Sequence, residues 1–160
     1  MRPHLEFALP AWRPYLLKDI NKMEKVQRRA LKLAHELRDK AYDERLKAVG
    51  LTRLSLRQER GDLIQMFKIV KGIDRYKVDV RVAANCISVD TAQNSPAYGT
   101  RGHNMRIYIE LVKNCRQRFN FFTNRAGRVW NQLPKSVVES KSVNIFKARL
   151  DKWNSERELL

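Results

Sequence analysis

The chain has 160 residues, and its 33 Lys and Arg against 17 Asp and Glu leave a formal net charge of +16. With 43% hydrophobic residues it can bury a core, which excludes a wholly disordered tail. Its longest apolar runs, such as Phe7–Pro10 and Phe121–Phe122, are far too short for a transmembrane helix. The positive balance recurs in every quarter of the chain, which points to a folded basic surface meeting a polyanion rather than to a detachable basic arm. Cys86 and Cys115 make no disulfide framework, so the expected compartment is reducing, nucleus or cytoplasm. Met1 to Trp12 carries no apolar signal-peptide core, and no secretory signal is expected.

In chain order, Pro3, Pro10 and Pro14 predict an irregular start with short turns. Ile20, Met23, Val26, Ala30, Leu33 and Leu37 recur at helical spacing and predict a helix over 19–37, with Asp19 as its N-cap. On that helix Lys18, Lys22, Lys25, Arg29 and Lys32 fall within roughly 80° of one another, away from the apolar side. A short helix over 41–49 should bury Tyr42, Leu46 and Val49 and stop at Gly50; a third, over 55–70, carries a Ser55/Gln58 capping-box spacing and stops at Gly72. Gly61 weakens the third helix but would let another backbone approach closely. Ser88 to Gly102 reads as a long loop. Met105, Ile107, Ile109 and Leu111 alternate with Arg106, Tyr108 and Glu110, a strand signal that needs a partner near 80–89. Helices are predicted over 119–132, closed by Pro134, and from Ser142 onward with Val143, Phe146, Leu150 and Trp153 inward. The fold class is therefore mainly α: a helical bundle, a long loop, a short β-strand pair and two C-terminal helices. The division is 1–75, 76–104 as linker, and 105–160.

Catalytic constellations are absent from the pattern. No paired Asp motif marks a two-metal centre. Cys86, His103 and Cys115 lack the Cys-x-x-Cys pair of a closed zinc site. His4 and His35 have no nucleophile signature beside them, and Gly99-Thr100-Arg101-Gly102 lacks the Lys-Ser/Thr of a P-loop, although Arg101 in such a turn suits a phosphate. No catalytic residue, metal or small-molecule substrate is expected. The basic residues carry the functional signal. Along the first helix only Glu24 and the capping Asp19 offset them, so Lys18, Lys22, Lys25, Arg28, Arg29 and Lys32 are candidate phosphate contacts. Arg116, Arg118, Arg125 and Arg128 flank the aromatic run Phe119–Phe122 and are candidates for single-strand contact, as an alternative to ordinary core aromatics with solvated arginines. The apolar N-terminus, Leu5, Phe7, Leu9 and Trp12, is a candidate docking surface for another protein.

Several segments along the chain form an ordered set of motifs. They are Arg2-Pro3-His4-Leu5-Glu6-Phe7-Ala8 through Pro10-Ala11-Trp12-Arg13-Pro14-Tyr15, then Glu24-Lys25-Val26-Gln27-Arg28-Arg29-Ala30, then Tyr42-Asp43-Glu44-Arg45-Leu46 with Leu51. Arg60-Gly61-Asp62-Leu63-Ile64 with Phe67-Lys68-Ile69, Thr100-Arg101-Gly102-His103, Phe121-Phe122-Thr123-Asn124-Arg125, Val129-Trp130-Asn131-Gln132-Leu133-Pro134 and Ser142-Val143-Asn144-Ile145-Phe146-Lys147 follow in order. As an ordered set they resemble the thumb and post-thumb region of reverse transcriptases from LINE-type (jockey-like) non-LTR retrotransposons, which residues 76–99 match poorly. The resemblance implies a nucleic-acid-binding fragment of an RNA-directed DNA polymerase, whose thumb helix lies on the RNA/DNA primer–template with Val26, Ala30 and Leu33 inward. It places the catalytic magnesium in a palm domain outside this sequence, leaves this chain non-catalytic by itself, and makes the palm a second partner. The alternative is a truncated or domesticated relic acting as a protein-interaction module through the apolar N-terminus.

Overall fold

A computed structural model describes residues 5–74, 103 and 105–158. The fold is mainly α. Eight α-helices are described: α1 (Leu9–Trp12), α2 (Leu17–Lys32), α3 (Tyr42–Ala48), α4 (Leu54–Val70), α5 (Arg116–Phe119), α6 (Phe122–Trp130), α7 (Lys135–Val138) and α8 (Val143–Glu158), with a 3-10 turn at His35–Leu37. The chain divides into two compact units, Met1–Gly61 and Asp62–Leu160. Most of the predicted linker, including Arg101, and the proposed strand partner near 80–89 lie outside the described residues.

In the first unit the glycine stop acts as the sequence suggests. Gly50 sits at φ +64°, its N–H donates to the Lys47 carbonyl at 3.1 Å, and the Leu51 N–H donates to Leu46 at 2.8 Å. This is a Schellman closure, which a residue with a Cβ resists. The starts differ from expectation. The Leu16 carbonyl accepts from Asp19 and Ile20, so α2 begins at Leu17 and Asp19 lies in its first turn instead of capping it. α4 begins at Leu54, one residue before Ser55, and the Leu54 N–H donates to a Glu24 carboxylate oxygen at 3.1 Å. A carboxylate from α2 thus takes the place of a local cap and lies at the positive end of the α4 dipole.

The buried side of α2 also corrects the sequence pattern. Gln27 and Leu31 are the buried residues, whereas Val26 is 40% and Leu33 81% exposed. Leu33 follows the last helical residue, so helical phase does not place it. Gln27 is buried because its amide is satisfied: Nε2 donates to the Tyr42 hydroxyl at 3.0 Å, and Oε1 accepts from Arg57. Arg57 in turn pairs with Glu6 at 2.7 Å. Leu9 is buried at 4% exposure, with its Cδ1 3.5 Å from where a Cβ would stand on Gly61. That is ordinary van der Waals distance, so Leu9 packs against α4 at Gly61 without requiring a glycine there, and among the described residues no other backbone approaches it closely.

The second unit is built on Trp130, Phe67 and Phe146, all fully buried. Phe67 and Phe146 stack with centroids 4.3 Å apart, and Leu63, Met66, Phe122, Val138 and Leu150 complete the core. Here too α4 ends on a glycine: Gly72 at φ +68°, with Ile73 donating to Lys68 at 2.8 Å. The predicted helix over 119–132 is broken at Asn120–Phe121 into α5 and α6, and Pro134 opens α7 as well as ending what precedes it. α8 starts after Ser142, whose hydroxyl accepts from the Ile145 N–H at 3.3 Å, and it buries Phe146 and Leu150 as the pattern requires.

The predicted strand pair is not seen: among the described residues there is no β-strand, 105–111 carries no regular element beyond a single bridge residue at Ile107, and the expected partner near 80–89 lies outside them. Backbone groups of Met105, Ile107 and Glu110 bond to side chains of α6 and the residue after it. Asn131 receives the Ile107 N–H on Oδ1 and donates Nδ2 to the Ile107 carbonyl, both at 2.9 Å. Asn124 Oδ1 accepts from Glu110 N–H at 3.1 Å, and the Trp130 indole donates to Met105 at 2.8 Å. At Ile107 the Asn131 side-chain amide thus supplies the same donor–acceptor pair that a neighbouring strand would offer. Gly127 faces this segment: a Cβ there would stand in ordinary van der Waals contact with Ile109 at 3.6 Å and Ile107 at 3.7 Å.

Candidate nucleic-acid interface

α2 displays the first unit's cations because its opposite side is committed inward through Gln27 and Leu31. Lys18, Lys22, Lys25, Arg28, Arg29 and Lys32 are all exposed. Lys22 pairs with Asp19 at 3.2 Å, a surface contact of small energy. Among the described residues, the other five are in no ion pair. Arg28 lies over the Tyr42 ring, 4.4 Å from its centroid, which holds the guanidinium by a cation–π contact while leaving its edge open to an acceptor.

Tyr42 ties this side of α2 to α3. Its hydroxyl donates to Glu24 and accepts from Gln27. Glu24 is thereby occupied by Tyr42 and the α4 N-terminus, although it stands in the middle of the basic residues. Between α2 and α3 lies a cavity of about 300 Å³ lined by Lys25, Arg28, Arg29, Lys32, Tyr42 and Arg45. Arg45 is only 8% exposed; its Nε donates to the Lys40 carbonyl at 2.7 Å and Nη2 to that of Arg38 at 3.3 Å. No carboxylate lines the cavity.

Burial, and then the hydrogen bond to Glu24, push the Tyr42 hydroxyl from its ordinary value near 10 up to about 12. The folded state holds this proton more tightly than the unfolded state. The resulting stabilisation is complete below pH ~10 and disappears as the pH rises towards ~12. A spectroscopic phenolate titration is therefore expected to show a tyrosine ionising near pH 12, absent in Tyr42→Phe. Titration of every tyrosine near its ordinary value would contradict the Glu24–Tyr42 contact.

Three of the four candidate arginines of the second unit make internal contacts. Arg125 makes a buried ion pair with Asp62 at 2.9 Å, the two side chains being 15% and 1% exposed. Arg128 donates to the Asn124 carbonyl at 3.2 Å and to the Phe119 carbonyl, and it lies 3.6 Å from the centroid of the Phe119 ring; burial lowers its pKa. Arg118 is held by Glu110 at 2.9 Å through two oxygens; these bonds raise its pKa. Of this cluster Arg116 alone is exposed with no ion pair among the described residues. Arg128 thus joins α6 to α5, Arg125 joins α6 to α4, and Arg118 holds the segment before α5.

At the N-terminus, Phe7 and Trp12 are exposed, with the Trp12 indole donating to the Phe7 carbonyl at 2.5 Å. Leu5 is half-buried, while Leu9 is withdrawn into the unit beside Gly61 and is not accessible for docking. His35 is exposed on the 3-10 turn and His103 is buried, with Nε2 3.0 Å from the Trp130 carbonyl. Cys115 is exposed and free, and Cys86 lies outside the described residues. Among the described residues no group of three His, Cys, Asp or Glu could hold a metal ion, and no helix is long and apolar enough to cross a membrane.

The residue that sequence reasoning missed is Arg45. Its signal was present: it lies three residues after Tyr42 and directly before Leu46, on the side of a short helix read as apolar. An arginine there is buried by design or aimed at something. No family model matches the chain, and neither the curated proteins nor the solved structures contain a significant match.

Proposed function

We propose that this chain binds nucleic acid through the cationic side of α2, as the thumb-like part of an RNA-directed DNA polymerase that contacts the primer–template backbone and performs no chemistry itself. The supporting observation is the run of exposed Lys18, Lys25, Arg28, Arg29 and Lys32 along one helix, in no ion pair among the described residues, with the nearby Glu24 engaged elsewhere. Charges left without counter-ions attract phosphates and release condensed ions when they bind. Phosphate contacts of this kind position a duplex without reading its sequence. The resemblance to LINE-type reverse transcriptases supplies the substrate class and the missing palm as partner, and it assigns the catalytic magnesium to that palm.

The test is fluorescence-anisotropy titration of a labelled RNA/DNA primer–template with the whole chain at a series of salt concentrations. Affinity is expected to fall by roughly a thousandfold or more between about 50 and 200 mM salt if six or more phosphates are contacted. Binding that does not change with salt would refute backbone contact. A second reading, protein docking through the N-terminus, is favoured by the exposed Phe7 and Trp12. It predicts that Phe7→Ser alters self-association of the purified chain, and an unchanged sedimentation profile would count against it.

A further inference from the structure

We infer that the cavity between α2 and α3 is a seat for a terminal phosphate group, a monoester or a pyrophosphate-type chain, in preference to an internal phosphodiester. This rests on the nucleic-acid reading only for the strand end as the source of that group. Arg45 is the main reason. It is nine-tenths buried and cationic, lines the cavity, and donates to two neutral carbonyls, those of Lys40 and Arg38. A guanidinium has five N–H donors; two of Arg45's are used in these bonds, and the described residues give it no carboxylate. Removing such a charge from water is costly unless an anion completes it.

The surroundings supply the rest. Lys25, Arg28, Arg29 and Lys32 bring the lining to five cations. Each acid placed nearby on α2 and α3 has another partner: Glu24 has Tyr42 and Leu54, Asp43 has Arg53 at 3.1 Å, and Glu44 accepts the Ala41 N–H at 3.1 Å. A diester phosphate carries one charge and has a sugar on either side. A phosphate monoester carries ~1.5–2 negative charges at neutral pH and offers three acceptor oxygens on a free end. That end can enter a recess, and its charge matches the three arginines that line it, a side chain able to bind phosphate oxygens in pairs. About 300 Å³ is at the lower limit for small-ligand sites, room enough for one or two phosphate groups without a base.

The experiment uses the whole chain and two single-stranded oligonucleotides of identical sequence, one with a 5′-phosphate and one with a 5′-hydroxyl, together with inorganic pyrophosphate in calorimetry. The phosphorylated strand is expected to bind about tenfold more tightly, and pyrophosphate should bind and abolish the difference. Arg45→Gln should erase both effects. Arg29→Gln, at an exposed position that the fold does not depend on, should weaken both if Arg45→Gln fails to fold. Pyrophosphate binding without a strand-end advantage would assign the seat to a free polyphosphate and remove the strand end from the inference. Equal binding of the two strands with no pyrophosphate binding would overturn the seat and leave the backbone interface standing. Pyrophosphate binding with no affinity for either strand would keep the seat and overturn the proposed function.

Discussion

Arg125→Ala is expected to destabilise the second unit by up to about 3–5 kcal/mol, because it removes a hydrogen-bonded counter-charge from the buried Asp62 carboxylate. Asp62 is among the fully buried side chains beside Leu63 and Met66, and the Arg125 guanidinium donates to both of its oxygens, at 2.9 and 3.2 Å. The same guanidinium reaches the Asn120 carbonyl at 3.2 Å, across the break between α5 and α6. The loss should appear in the urea-unfolding midpoint. Arg116→Ala, at an exposed position, should change stability by no more than about 0.5 kcal/mol. Equal, small effects for the two substitutions would mean that Arg125 is a surface cation after all and would make it a candidate for phosphate binding again.

The second large effect concerns binding. In the triple variant Lys25→Gln, Arg29→Gln, Lys32→Gln, three of the five cavity cations are neutralised on an exposed surface. The slope of log affinity against log salt is expected to become shallower by roughly 2–3, close to one unit for each phosphate that no longer meets a cation. The unfolding midpoint should hardly move, since these side chains are solvated and make no ion pair among the described residues. An unchanged slope would place the nucleic acid elsewhere. Collapse of the fold would mean that the helix face is structural.

What the sequence could and could not disclose follows from range. Helix ends set by a few neighbouring residues were legible: Gly50 and Gly72 close α3 and α4 because a positive φ is a local requirement. The cationic side of α2 was also legible, since helical phase alone gathers Lys18, Lys25, Arg29 and Lys32. Features set by distant partners were not. The start of α4 depends on Glu24, thirty residues earlier. Gln27 looks like a surface residue until Tyr42 and Arg57 satisfy its amide. The alternation of 105–111 gave no hint that Asn124 and Asn131 would bond the backbone of Glu110 and Ile107, because alternation alone does not distinguish an amide side chain from a neighbouring strand. The arginines around Phe119–Phe122 have the composition of a stacking surface. Their fate was decided by Glu110, Asp62 and two backbone carbonyls, none of which a local window identifies.

The most direct test of the interface is a lysine-modification footprint, in which the chain is lightly acetylated with and without a saturating RNA/DNA duplex and each lysine is quantified by mass spectrometry. Lys18, Lys25 and Lys32, all exposed on α2, should be protected by the duplex, while the equally exposed Lys113, Lys141 and Lys152 should react as before. Protection of the second set, with Lys25 and Lys32 still fully reactive, would contradict the account.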